Sequence, residues 1–323
     1  MRVLSAAIAA IGAVVLALVG ASPAFADGRD VDPGDSMYTI NCAGDYDDWQ
    51  LFSVAPTTAF STAIGVGGGT SEFGGCAGQP AYDAFTGTSY YIQITFDGVA
   101  SHWALAEIDV TTGVSTTVGE FAWDDDGPQP ARIEAIAIAP DGTAYALGSG
   151  VLYTLDLDTA EVEAIDECIF AFAFAADPVT GEFYAVDRDG QVYRFDDISE
   201  GCALTTLGQL THADLDLEDI DAEEELRGVF ALQIDGGGTF WINVATREGL
   251  TQLWSFTTTT LGTPVLSGLF TDEPFYTSAL LIIPGAALAA TGANLGLAPY
   301  LAGGAVLLLL AGGAVLLVRR RRA

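Results

Sequence analysis

The chain has 323 residues and a formal net charge of −32, from 43 Asp and Glu against 11 bases, yet 50% of it is hydrophobic. That much apolar matter excludes disorder throughout, and so acidic a balance excludes nucleic-acid binding, which needs cations to displace phosphate counterions. Every base is Arg and no Lys occurs, so Schiff-base and P-loop chemistry are excluded too.

Residues 1–26 start with Arg2, run through an apolar stretch from Ala6 to Val19 and finish Ala24-Phe25-Ala26. A charged start, an apolar middle and a small-x-small end describe a signal peptide, cleaved between Ala26 and Asp27. The competing reading is an uncleaved membrane anchor, which the small-x-small site and the acids that follow disfavour. The chain is therefore expected to be exported.

Residues 27–285 repeat. Short starts at Leu51, Leu105, Leu152, Val192 and Leu253 each lead through polar turn residues to a second strand. Four of those second strands close on glycine: Gly65, Gly119, Gly208 and Gly268. A second unit is a hairpin whose turn glycine precedes an aromatic by three positions: Gly87/Tyr90, Gly142/Tyr145, Gly181/Tyr184 and Gly238/Trp241. Tight hairpin turns demand the positive φ that glycine supplies, and the flanking aromatic and β-branched residues fit a pleated sheet. Two hairpins every ~40–60 residues make a four-stranded blade. A fifth inner strand, Thr277–Ile283, comes last, and Leu51–Gly65 comes first without an inner hairpin. The two ends are expected to share one blade, with Met37–Asn41 as its remaining strand, so that the sheet edges close.

The fold class is therefore all-β: a β-propeller of about five four-stranded blades, plus a C-terminal transmembrane helix. A six-bladed ring or a β-sandwich with long loops is the alternative. Asp109-Val110-Thr111-Thr112-Gly113 and Asp156-Leu157-Asp158-Thr159-Ala160 resemble the phrase Leu-Tyr-x-Ile-Asp-x-x-Thr-Gly of secreted bacterial propellers. That resemblance implies the fold and no single activity.

Four cysteines in an exported chain, Cys42, Cys76, Cys168 and Cys202, point to disulfides rather than a metal site. The pairings 42–76 and 168–202 enclose equal separations. The second fits the blade scheme less well, because Cys168 and Cys202 fall near opposite faces of the ring.

Long insertions, 66–80, 122–131 and 211–226, all fall on one face. They hold the candidate ligand or cation loops Asp124, Asp125, Asp126, Asp214, Asp216 and Glu218. In the third, the acid spacing approaches a Ca²⁺ loop, but Asp219 stands where the sharp turn requires glycine. A bound Ca²⁺ is the one cofactor considered, and a solvated charge run is the default. Phe73, Trp123, Phe275 and Tyr276 are candidates for an aromatic platform on that face. Catalytic residues are not nominated: His102 and His212 lie in no nucleophile motif, and adjacent Ser101 and His102 cannot form a triad.

Residues 286–296 are small and uncharged and read as a linker. It contains Leu288-Ala289-Ala290-Thr291-Gly292, followed by an uncharged stretch, 297–318, and a basic tail, 319–323. The stretch is long enough to span a bilayer as a helix, and the arginines place that end in the cytoplasm. Pentapeptide, apolar span and basic tail together resemble a Gram-positive cell-wall sorting signal. The common form has Pro at the second position, and the Ala here resembles the variant used by class E sortases. The resemblance implies a sortase that attacks the Thr291 carbonyl, releases Gly292 onward and passes the acyl group to a peptidoglycan precursor. It also implies a place in the cell wall or on the outer face of the plasma membrane.

The expected protein is a surface-anchored acidic propeller that binds an extracellular ligand or mediates adhesion, and is not an enzyme. Two alternatives compete with it. One is a secreted propeller enzyme, a Ca²⁺-dependent lyase or lactonase-like hydrolase with its cation at the ring centre. The other is a structural spacer.

Overall fold

The computed structural model describes residues 34–42, 49–65, 75–96, 101–123, 133–215, 217, 228–246, 250–270 and 276–285. They form five sheets, antiparallel except where one short edge strand joins the third. Blade 1 takes β1 (Ser36–Cys42), β2 (Trp49–Ala55) and β3 (Phe60–Ile64) from the start of the ring. Blade 2 has β4 (Gly75–Ala77), β5 (Ala81–Asp83), β6 (Thr88–Phe96), β7 (Ser101–Ile108) and β8 (Ser115–Glu120). A short β9 (Ala122–Trp123) then crosses over to pair parallel with the outer strand of blade 3. Blade 3 is β10 (Ala135–Ile138), β11 (Ala144–Gly148), β12 (Val151–Leu155) and β13 (Glu161–Glu167). Blade 4 is β14 (Ala173–Ala176), β15 (Phe183–Val186), β16 (Gln191–Phe195) and β17 (Leu204–Gln209). Blade 5 is β18 (Gly228–Ile234), β19 (Phe240–Ala245), β20 (Thr251–Phe256) and β21 (Val265–Leu269).

The last strand, β22 (Tyr276–Ile283), is the inner strand of blade 1 and pairs with β1, Thr39 opposite Leu280. Thr39 Oγ1 donates to Ala279 O at 2.6 Å across that seam. The ring is a five-bladed β-propeller closed from both chain ends, as the order of the repeats predicts. Five apolar clusters fill the five gaps between neighbouring blades. The core is thus a ring of interfaces rather than one central mass.

The turn chemistry explains the strand spacing. Asp109 Oδ1 accepts from Thr111 N and Oγ1, and Oδ2 from Thr112 Oγ1, closing a turn that ends on Gly113 at φ +74. Asp156 Oδ1 accepts from Asp158 N and Thr159 N in the same way. There Ala160 takes the left-handed conformation (φ 62) that glycine adopts elsewhere, and its methyl is fully buried.

Two faces follow from this topology. The turn face carries the hairpin turns between a blade's first and second strands and between its third and fourth. The loop face carries each blade's central turn and the crossing to the next blade. Both ends of the ring leave on the turn face. Gly34 and Gly285 lie against one another there, bracketed by Asp35, whose Oδ1 accepts from Gly285 N (2.5 Å) and Oδ2 from Gly236 N (2.9 Å).

Neighbouring blades also meet at their outer strands. The end of each outer strand reaches the third-to-fourth turn of the next blade: Gly65 meets Thr112, Gly119 meets Thr159, Gly208 meets Leu261 and Gly268 meets Thr58. In blade 3 the position equivalent to Gly119 and Gly208 is Asp166, paired with Leu152 beside the same irregularity in register. Here the junction is held by the disulfide Cys168–Cys202, and Asp166 Oδ2 accepts from Cys202 N at 3.3 Å. This resolves the poor fit of 168 with 202 in the flat blade scheme. Twist accumulates across a sheet, so outer strands tilt until the end of one blade meets the far-face turn of the next. The other expected pair, Cys42 and Cys76, lies on β1 and β4, which pack together; their side chains fall outside the described residues.

One expectation is corrected. Among the described residues no helix is long and apolar enough to cross a membrane, so the structure supports neither the transmembrane and membrane assignment nor the sortase and wall-anchor assignment. Residues 286–323, with Leu288–Gly292 and the apolar stretch 297–318, lie outside the described residues, as do 1–33.

Candidate binding face

At the ring axis the inner strands present free backbone edges, which would be costly to bury without partners. Gln79 answers this. Its backbone sits between blades, N–H to Glu134 O at 3.3 Å, and its side chain crosses to the opposite wall. Nε2 donates to Phe174 O and to Leu232 O (2.7 Å), while Oε1 accepts from Phe174 N (3.0 Å) and Leu232 N (3.2 Å). One amide therefore ties the inner strands of blades 2, 4 and 5 together. Gln233 Nε2 donates to Pro80 O at 2.9 Å beside it. The insertion 66–80, expected to be a surface loop, thus ends inside the ring.

On the turn face this plug leaves a funnel of about 30 Å³, room for a water or two. It is lined by residues of all five blades, among them Tyr82, Ile138, Ala175, Ile234 and Ile282. A shallower groove of about 420 Å³ lies between blades 1 and 2, lined by Tyr82, Ser89, Glu107, Thr116 and Ile283. It opens where blade 1 has chain ends in place of a hairpin turn.

The loop-face end of the axis is different. Phe170 and Phe172, in the crossing from blade 3 to blade 4, meet edge to face at 5.1 Å, and Phe172 meets Phe230 of β18 at 5.3 Å. Phe230 is the extra residue of a β-bulge between Val229 and Ala231; bulges re-aim side chains in this way. Phe170 is 48% exposed. Phe172 and Phe230 each lie two residues before the residue whose backbone Gln79 clamps, so the plug fixes the register in which the rings meet. Exposed Glu167 lies three residues before Phe170 in the same crossing, and exposed Asp189 lies in the central turn of blade 4. Arg188, half-buried in the central turn of blade 4, accepts at its carbonyl from Val229 N (3.2 Å). Glu134 is buried at this end of β10, its Oε2 accepting from Ser149 N at 2.7 Å. Burial, and then that carboxylate, push the Tyr153 hydroxyl up to about 12.

The candidate ligand residues fare unevenly. Asp214 is exposed on the loop face, where its N–H donates to His212 Nδ1 at 3.2 Å. Asp124, Asp125, Asp126, Asp216 and Glu218 lie outside the described residues. Among the described residues no group of three or more His, Cys, Asp or Glu is placed to hold a metal ion. His102 lies 3.9 Å from Glu120 across β7 and β8, in a different blade from His212. Of the expected aromatic platform, Phe73 and Phe275 lie outside the described residues, as do the side chains of Trp123 and Tyr276. Phe170 and Phe172 were hidden by their pattern: 169–174 alternates like a strand, but β14 starts only at Ala173.

No protein-family model matches the chain, and no curated protein does either. Among solved structures, Kuenenia stuttgartiensis hydrazine synthase is similar over 62% of this chain, with 13% identity and a TM-score of 0.36; the match spans 49% of that protein's chain. A protein from Lactobacillus plantarum is similar over 72% of this chain and 81% of its own, with 14% identity and a TM-score of 0.41.

Proposed function

We propose that this is an exported acidic propeller that binds an extracellular macromolecule through its loop face and performs no chemistry on it. The observation that carries this reading is the aromatic cluster at the loop-face end of the axis. Phe170 is 48% exposed there and meets Phe172, which in turn meets Phe230. The loop face therefore presents a built, exposed aromatic surface to a partner. Propellers use such faces for recognition. The rival enzyme with a cation at the ring centre is disfavoured, because the Gln79 amide occupies that position.

Charge reversal tests the reading. Asp189→Arg with Asp214→Arg alters the loop face, and Asp158→Arg with Glu200→Arg alters the turn face by the same charge; all four residues are exposed. Retention of the full chain on immobilised extracellular material from the producing cells should fall about tenfold for the first pair only. Equal loss from both pairs, or loss from the second alone, would overturn it.

A further inference from the structure

The partner's chemistry can be read from the loop face. Resting on the reading above, we propose that the cluster Phe170, Phe172 and Phe230 is the hot spot for an arginine-rich polypeptide segment of a partner. Three observations meet there. First, the rings are built rather than incidental: a bulge brings Phe230 out of the β18 ladder, and the Gln79 clamp sets Phe172 beside it. Hot spots are aromatic groups held rigidly, because little entropy is lost when they bind. Second, Phe170 stays 48% exposed although Phe172 is within reach, so the cluster presents a ring surface to solvent. Third, the same chain segments carry acids: exposed Glu167 stands three residues before Phe170, and exposed Asp189 follows Arg188, whose carbonyl accepts from Val229 N next to Phe230. The chain as a whole has the same sign, since residues 27–285 hold all 43 acids and only Arg29, Arg132, Arg188, Arg194, Arg227 and Arg247.

An apolar ring surface inside a negative field selects a group that is both cationic and planar. Guanidinium stacks on aromatic faces and is more weakly hydrated than ammonium. The acids would steer such a segment in and the rings would hold it. A neutral glycan could also stack on the rings, but it gains nothing from the charge.

The test compares octa-arginine with octa-lysine on the full chain at ~0.15 M ionic strength, where long-range attraction is largely screened. Octa-arginine should bind about fivefold tighter than octa-lysine. Phe170→Ala should abolish that preference while leaving octa-lysine binding unchanged, and Phe170→Tyr should restore it. Since Phe170 is half exposed, these variants keep the fold. Equal affinity for the two peptides, or a preference that survives Phe170→Ala, would overturn the proposal. Ring-dependent binding of cellohexaose in place of either peptide would overturn it in favour of glycan stacking. None of these failures touches the charge-reversal result, so the face and the chemistry stand or fall separately.

Discussion

At the scale of single residues, Gln79 does what a strand would do if one ran down the ring axis. An inner strand's free edge offers an N–H and a C=O at each outward residue, and a primary amide is a side chain carrying both a donor and an acceptor. Gln79 meets both groups of Phe174 and both of Leu232, at 1% exposure. Leucine at this position would leave four buried backbone groups without that partner. At ~1–3 kcal/mol for each group left unsatisfied, partly relieved by entering water, Gln79→Leu should cost roughly 3 kcal/mol. Gln79→Glu should cost no less, because an ionised carboxylate cannot donate to the two carbonyls. Urea unfolding measures both; a loss below about 1 kcal/mol would mean that water replaces the amide without penalty. Nothing in the sequence marks this residue. A glutamine between Gly78 and Pro80 at the end of a polar insertion looks like loop, and its partners lie far along the chain.

At the scale of elements, the junctions between outer strands and neighbouring turns show what was legible and what was not. The glycines at 65, 119, 208 and 268 stand out as a periodic feature, and so does the equal spacing of the cysteines. What each glycine meets could not be read, because the tilt that brings it to the next blade arises from twist summed over four strands. Gly119 illustrates the constraint: a Cβ there would sit 2.9 Å from Thr159 O, a backbone atom that cannot swing aside. Gly119→Ala should therefore destabilise the ring by about 1–3 kcal/mol, as overpacking does. Gly262, whose added Cβ would meet only Thr211 Oγ1 at 3.8 Å, provides the control and should tolerate alanine. Where blade 3 has Asp166 in place of glycine, a covalent link spans the junction. It closes a separation of 34 residues, for which constraint of the unfolded chain gives about 3–4 kcal/mol. Cys168→Ser with Cys202→Ser should lower the urea midpoint accordingly. Unchanged stability would show that the Asp166–Cys202 hydrogen bond and local packing hold the junction unaided.

At the scale of the whole molecule, charge and fold oppose one another, and pH sets the balance. The chain's 43 acids far outnumber its 11 bases and repel each other, and lowering the pH toward the carboxylate range relieves that repulsion. A buried aspartate, Asp235, and a half-buried one, Asp187, act in the same direction. Burial raises the pKa of Asp235, despite hydrogen bonds from Trp241 Nε1, Thr239 N and Gly237 N. Burial likewise raises that of Asp187. A raised folded-state pKa means that the native ring binds the proton more tightly than the unfolded chain does. Their contribution to stability therefore grows as pH falls through that raised value toward 3.8. The turn aspartates act oppositely. Hydrogen bonds from Thr111 and Thr112 hold Asp109 below 3.8, and those from Thr143 do the same for Asp141. Their contribution is complete above 3.8 and is lost as pH falls below it. The melting temperature should consequently rise from about pH 8 to about pH 5 and fall again below about pH 3.5. Salt at ~0.5 M should flatten the upper limb by screening repulsion while leaving the share of buried Asp235 in place. Scanning calorimetry across that range decides the matter. A melting temperature that climbs steadily from pH 4 to pH 8 would show that the acids of this ring are held by partners rather than set against one another.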